Sequence, residues 1–508
     1  MNNWASGYVT DIDYTAGFYE HMTPVKLAFA LLAKGYAAPD INAPYAYCEL
    51  GCGHGVTVNV MGAANPCGDF WATDFNPAQI ANAKKLAKSA GLDNVHFFDA
   101  SFEEFNRAEL PQFDFITLHG IWTWVSESNR QAIVRFIRDR LKVGGVVYVS
   151  YNAMPGWATG LPLRRLLVDH AAGRTEPTLD RIRNAIGFAE SVRKAGALFF
   201  EANPGATERL EDLKDSQPKY LAHEYFPEGF APVYHADIAR ELSEAKLKFV
   251  CSSDLVQQID ALNMDAAQIE LLATIDDPVR RETVRDYILN TRFRRDIFVK
   301  GALPLNEDEA RERWLGMRFA LKVDRSEAPT RIKGPLGDAD LHPDVYGPVL
   351  DALAKGPRTV AQLIADPTIA PLGLARLQQA LAVLVGGRPV DPCLDATGDD
   401  LRIPRARDFN TAALRLAQSN KTPAWLACPV TGSGLAVEGA LQLFLLARRE
   451  GRDDLADYAW AAMSARGGKL LKDGVPIESD ADNLAEMRAH AERFLKNPLP
   501  VFRQLGLT

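Results

Sequence analysis

The stretch YAYCELGCGHG, Tyr45 to Gly55, reads as a buried strand that ends in a glycine turn and opens a helix. That junction is a cradle for a nucleotide-type cofactor. Gly51, Gly53 and Gly55 remove side chains that would hold the backbone away from a ligand, and the helix start beyond them offers free amide N–H groups. A dinucleotide fingerprint G-x-G-x-x-G would place its third glycine at position 56, where Val56 stands, and the third glycine comes one residue early. The plain alternative is a turn whose glycines only let strand and helix pack closely.

The pattern E-x-G-x-G-x-G, beginning at Glu49, resembles the first motif of class I S-adenosylmethionine (SAM) methyltransferases. The following chain alternates short apolar runs with helical periods, the mark of a parallel sheet covered by helices. A second strand, FWATDF (Phe70 to Phe75), carries Asp74 at its end. A carboxylate there can accept two hydrogen bonds from a ribose diol. Asn76 and Pro77 then start a helix that Gly91 stops, with Ile80, Ala83 and Ala87 on one face. A third strand, VHFF (Val95 to Phe98), ends at Asp99, Ala100 and Ser101; Asp99 either meets an adenine edge, as the resemblance implies, or begins a turn or caps the next helix. A fourth strand, FDFITL (Phe113 to Leu118), runs into His119-Gly120-Ile121-Trp122-Thr123-Trp124 at the mouth of the sheet. A helix through Ile133, Phe136, Ile137 and Leu141 is expected to end at Gly144 and Gly145, before a fifth strand VVYVS and the segment YNAMPGW, Tyr151 to Trp157.

With CELGCGHG, ATDFNP, LHGIWTWV, VSYNAMPGW, LAHEYFPEGFAPVYH (Leu221 to His235) and DYILNTRFRRDIF (Asp286 to Phe298) in view, the chain resembles class I methyltransferases with an attached methyltransferase regulatory domain. That group includes the rickettsial outer-membrane-protein lysine methyltransferases. Trp122 stands where that group often has another aromatic. The resemblance implies an α/β fold with a Rossmann-like class I sheet over 1–302, helical insertions at about 158–220 and 256–290, and a regulatory segment at about 220–302. The last helix and reversed hairpin of the sheet are expected at Ala236 to Ala245, Leu247 to Leu255 and Arg294 to Val299. A winged-helix-like region is expected over 303–400 and a helical one over 401–508. The helix from Leu374 to Val385 carries Arg376 as its only basic residue before Arg388, which favours a docking module over a DNA reader.

The implied cofactor is SAM. Its expected contacts are Glu49, Gly51, Cys52, Gly53, Gly55, Asp74, Phe75, Asp99, Ala100, Ser101, Leu118 and His119, with Tyr14 and Tyr19 as aromatics ahead of the first strand that either form a lid or simply pack. The expected acceptor side is Trp122, Tyr151, Asn152, Tyr225 and His119, with Trp157 and Tyr234 as further aromatics. His119 is either a general base, useful chiefly for a hydroxyl acceptor, or a packing group. His223 and Glu224 either close the pocket or anchor the inserted helices. A lysine acceptor is neutral in only about one molecule in 2,500 at pH 7, a cost of roughly 4.6 kcal/mol, so an aromatic, partly apolar pocket would help by lowering its pKa. A small molecule or glycan as acceptor, or a non-catalytic SAM-binding scaffold, are the alternatives.

At 508 residues the chain exceeds one core, and 47% hydrophobic with 24% charged residues is ordinary globular usage. A net charge of -8 argues against a nucleic-acid binder. The longest apolar candidate, Leu435 to Ala447, is interrupted by Glu438 and Gln442, and MNNWASGYVT lacks a signal layout, so a cytoplasmic protein without membrane insertion is expected. Six cysteines show neither C-x-x-C nor zinc spacing, which predicts no metal site and six buried thiols. Both monomer and homodimer remain open.

Overall fold

The computed structural model describes residues 17–508 apart from 228, 421–423 and 473. Tyr14, one of the expected cofactor aromatics, lies outside the described residues. The chain enters through α1 (Pro24–Ala33), then alternates β1 (Tyr45–Leu50), α2 (Val56–Ala64), β2 (Gly68–Asp74), α3 (Pro77–Ser89), β3 (Val95–Asp99), α4 (Phe102–Arg107), β4 (Phe113–Leu118), α5 (Glu127–Arg140) and β5 (Leu141–Asn152). All six residues of β1 are buried, as a strand covered on both faces requires. The Asn76 side chain caps α3 by accepting from the amides of Ala78 and Gln79.

The fifth strand begins earlier than expected. Leu141 already pairs with Phe113, and the register slips before Phe115 meets Val146. Gly144, at φ 79°, therefore serves an irregularity inside the strand instead of stopping a helix.

Five helices follow: α6 (Gly160–Ala171), α7 (Thr178–Lys194), α8 (Leu198–Ala202), α9 (Pro204–Asp215) and α10 (Pro218–Tyr225). They share an apolar core of their own around Trp157, Leu163, Leu167 and Leu210. The sheet resumes with α11 (His235–Ser243) and β6 (Leu247–Ser252), and α12 (Asp260–Asn263), α13 (Ala266–Ala273) and α14 (Pro278–Leu289) intervene before β7 (Phe293–Lys300). The strand order is β3-β2-β1-β4-β5-β7-β6, with β7 antiparallel to both neighbours. This is a Rossmann-like sheet closed by a reversed hairpin.

Beyond it come α15 (Glu307–Gly316), β8 (Arg318–Leu321), the hairpin β9 (Arg331–Gly334) and β10 (Gly337–Asp340), α16 (Pro343–Ala354), β11 (Arg358–Thr359), α17 (Val360–Ile364), α18 (Gly373–Gly386) and β12 (Val390–Cys393). Three helices pack on a sheet of order β11-β8-β12, in which the central strand precedes the helices. The remaining chain is mainly helical: α19 (Asp399–Asn420), a hairpin of β13 (Ala424–Cys428) and β14 (Ser433–Val437), α20 (Ala440–Arg449), α21 (Leu455–Ser464), the short pair β15 (Leu471–Lys472) and β16 (Val475–Pro476), α22 (Asp480–Lys496) and α23 (Pro498–Gln504).

This region explains why α2, VTVNVMGAA, is buried nearly all round. Eight of its nine residues are buried because the sheet covers one side and β13, β14 and α19 cover the other. A side chain at Gly434 would collide with Val60 and Phe18, and Asn65 donates to the Gly432 carbonyl at 2.9 Å. Five cysteines are buried, but Cys67 is exposed, contrary to the expectation that all six would be inside. It lies in the turn before β2, where no layer covers it.

A buried charge cluster joins the N-terminal segment to the β8–β12 sheet. Lys26 of α1 and Lys322 each approach Asp391 of β12 at 2.9 Å, and Glu20 contacts Lys26 at 2.6 Å and Lys322 at 3.5 Å. Burial raises the Glu20 carboxyl pKa, but Lys26 and Lys322 together hold it well below its ordinary value of 4.5. Glu20 therefore contributes stability that is complete above that pH and is lost on acidification. Asp391→Ala would leave two lysines short of counter-charge. The first unfolding transition in a chemical denaturation is expected to lose roughly 3 to 5 kcal/mol.

Candidate active site

The glycine turn is shaped by backbone bonds to the neighbouring strand. The amides of Gly51 and Cys52 both donate to the Thr73 carbonyl, and the Gly53 amide donates to Asp74 Oδ2 at 2.9 Å. Gly51 and Gly55 have φ of 76° and 64°, which an L side chain resists. A Cβ on Gly51 would sit 2.2 Å from Ile121, and one on Gly55 2.6 Å from Ala83, whereas one on Gly53 would meet nothing nearer than 3.7 Å. Gly55 thus serves helix packing, and Gly53 leaves the turn open to a ligand.

Asp74 holds the turn from the other side. Its Oδ1 accepts from the Asn76 amide at 2.9 Å while Oδ2 accepts from Gly53, so each oxygen keeps a further lone pair. Burial raises its pKa despite these bonds. Glu49 is buried beside it, and burial followed by the Asp74 charge raises its carboxyl well above the usual range. Its Oε2 has no hydrogen-bond partner among the described residues. Two adjacent carboxyls, one with an orphaned oxygen, suit a ligand carrying both hydroxyls and a cationic group.

These groups face a cavity of about 220 Å³, lined by Tyr19, Glu49, Gly51, Cys52, Gly53, Asp74, Phe75, Ala100, Ser101 and His119 of the expected residues. Trp124, read at the mouth of the sheet, lines it too, and so do His54, Gln79 and Asn129, which sequence reading did not assign there. Three expected residues do not. Gly55 is occupied with packing, Leu118 is fully buried in the core, and Asp99 is exposed at the end of β3. Ser101, in turn, caps α4 in a reciprocal bond with Glu104.

A second cavity, of about 420 Å³, opens across a shared wall of Tyr19, His119, Gly120 and Trp124. Asn152, Trp157, Glu224 and Tyr225 line it, with Arg209 from α9 and Arg292, Phe293 and Arg295 from the β7 side. Strand alternation decides this lining. On β5, Asn152 lines the second cleft and Tyr148 and Ser150, on the same face, are buried against His119, while on β7 Phe293 and Arg295 line the cleft. Tyr151 of β5 and Arg294 and Asp296 of β7 point to the opposite face.

Two expected acceptor-side residues are therefore corrected. Tyr151 is fully buried, and its hydroxyl donates to Asp296 at 2.6 Å beside His235, in a network that continues to Arg294 and Asp286. Burial raises Asp296, but Arg294 and His235 bring it down to about 2. Trp122 packs wholly within the core on the α5 side of the sheet and lines neither cavity. Tyr234 also lies away from both, stacked on Tyr287.

Asn152 is in place, yet its amide oxygen already accepts from the Trp157 indole at 3.0 Å. Arg209 bonds the Tyr225 hydroxyl and lies 5.9 Å and 5.3 Å from the Trp157 and Tyr225 rings, taking up their cation–π faces. His119 stacks on Tyr19 at 4.1 Å, and its Nδ1 bonds Tyr148 at 2.8 Å and Ser150 at 3.1 Å. Burial, then Arg295, lowers His119 to about 3, so it is a neutral wall between the clefts and a poor general base. Arg209 and Phe293 escaped sequence reading because an inserted helix and a reversed strand deliver them from far along the chain. The only trace was the motif DYILNTRFRRDIF.

Family models match the chain over two segments, a methyltransferase domain at residues 48–147 and a predicted methyltransferase regulatory domain at 217–300. The Synechocystis protein sll1526 (strain ATCC 27184 / PCC 6803 / Kazusa) is 41% identical over 505 residues, covering 99% of this chain and 100% of that protein. RP789 of Rickettsia prowazekii (strain Madrid E) is 26% identical over 301 residues, 59% of this chain and 53% of its own. In fold, the chain is similar to PKMT2 from Rickettsia typhi in complex with AdoHcy, with a TM-score of 0.72 at 16% identity over 97% of this chain and 100% of that one. The whole-length relative and the two family models meet on the sheet that carries the glycine turn, Asp74 and the orphaned Glu49 oxygen, and the chain belongs to the class I SAM-dependent methyltransferases that carry a methyltransferase regulatory domain.

Proposed function

We propose that this methyltransferase acts on the side-chain amine of lysine in a protein substrate. The observation that carries the reading is the second cleft, which meets the glycine-turn cleft across His119 and Tyr19 and is walled by the inserted helices. The resemblance of CELGCGHG, VSYNAMPGW and LAHEYFPEGFAPVYH to the rickettsial outer-membrane-protein lysine methyltransferases supports a protein lysine as the acceptor, and the fold likeness to PKMT2 agrees with it.

SAM, when bound, supplies a methyl group on a positively charged sulfur. Glu49 would face the cationic amino-acid end, the spare lone pairs of Asp74 would accept the ribose hydroxyls, and Phe75 and Ala100 would flank the base. Tyr19, stacked on His119, excludes water at the shared wall. The protein's main task is alignment of acceptor nitrogen and methyl group, because in-line displacement asks little else of the site. Residues 303–508 would hold the cofactor helix in place and dock the substrate protein.

Asp74→Ala removes two charge-assisted hydrogen bonds, worth about 1.5 kcal/mol each, so SAM is expected to bind about 100-fold more weakly or worse by calorimetry. Unchanged affinity would overturn the cofactor assignment. Incubation with methyl-labelled SAM and cell extract should put label into protein as methyl-lysine. Label confined to small molecules or glycan would replace lysine with a small acceptor while leaving the SAM site standing.

A further inference from the structure

The acceptor cleft holds a single carboxylate. Among its lining residues Glu224, on α10, is the only acid, and it faces Arg209 from α9, Arg292 and Arg295 from the β7 side, and the neutral ring of His119 from the end of β4. No hydrogen bond or ion pair within 4 Å engages its carboxylate among the described residues, although arginines are close by. Two of those arginines are engaged elsewhere: Arg209 with Tyr225 and Asp212, and Arg295 with Asp254. The other groups of the cleft are poor proton acceptors. His119 is pushed down to about 3, the Asn152 oxygen is an amide already bonded to Trp157, and the Tyr225 hydroxyl is engaged by Arg209.

We propose that Glu224 receives the proton of the acceptor ammonium, so that the same side chain selects an amine and readies it for transfer. This inference rests on the lysine reading above. Lysine ammonium and the Glu224 carboxylate exchange one proton to give a neutral amine and a carboxylic acid. The amine nitrogen lone pair then forms the new N–CH₃ bond as the S–CH₃ bond breaks, and that bonding pair remains on sulfur as an uncharged thioether. Glu224 returns its proton to solvent through the mouth of the cleft and is ready to accept one from the methylated ammonium. Burial lifts the Glu224 carboxyl to about 7 against the opposing pull of Arg209, which matches a proton acceptor to neutral pH.

The test uses the full-length enzyme, methyl-labelled SAM and soluble cell-extract protein, with methyl-lysine counted after hydrolysis from about pH 6 to about pH 10. Wild-type turnover should show an acid limb near pH 7. Glu224→Gln should lose about 100-fold at pH 7, recover as lysine deprotonates by itself toward about pH 10, and bind SAM with unchanged affinity. In protein labelled with carbon-13 at glutamate carboxyls, one resonance titrating near pH 7 should vanish in the same variant. A Glu224→Gln enzyme with the wild-type rate and profile would overturn the assignment and leave the lysine reading intact. So would a wild-type rate that climbs tenfold per pH unit to about pH 10, which needs no variant. Methyl-lysine absent at every pH, with SAM bound, would instead overturn the lysine reading.

Discussion

The carboxylate of Asp74, shared between the amides of Gly53 and Asn76, is the constraint on which the catalytic half of the molecule depends. It sits where β2 ends and binds the turn that follows β1, so two parallel strands and the start of α3 are locked to one side chain. The glycines make that turn possible, and Asp74 selects one shape for it. The same carboxylate lines the cleft, so the turn and the cavity wall share one group.

Around this point the fold resolves a problem common to open parallel sheets, which is that a ligand beyond the strand ends is exposed to solvent. Here the inserted helices α6 to α10 build a wall of their own around Trp157, and the reversed strand β7 adds Phe293 and Arg295. Among the described residues, the two clefts meet past neutral, half-buried groups, chiefly His119 stacked on Tyr19. A charged imidazole at that wall would repel a cationic sulfur, and burial keeps it uncharged.

Behind the sheet, buried charges are joined in a network. Arg294 contacts Glu282, Asp286 and Asp296, and through Asp296 it reaches Tyr151 and His235, which fixes α14 and α11 to β7. The Lys26, Lys322, Glu20 and Asp391 cluster does the same for the junction with the three-stranded sheet. Such networks add little net stability but make any misplacement of one partner costly, and so they specify how the segments meet.

The amino-acid sequence by itself determined what local patterns encode. The glycine turn, the carboxylate ending β2 and the Asn76 cap could all be read from spacing, propensity or a motif, because each depends on residues a few positions apart. The reversed strands β6 and β7, separated by three helices, followed only from the family resemblance. Only tertiary structure decided which aromatic residues line the second cleft. Tyr151 and Asn152 are neighbours on a strand and must point to opposite faces, and nothing local says which face is the core. Trp122 likewise went inward, while Arg209, Phe293 and Glu224 arrived from inserted helices and the reversed strand. Their meeting depends on packing between separate helices and strands, which no short-range pattern can specify.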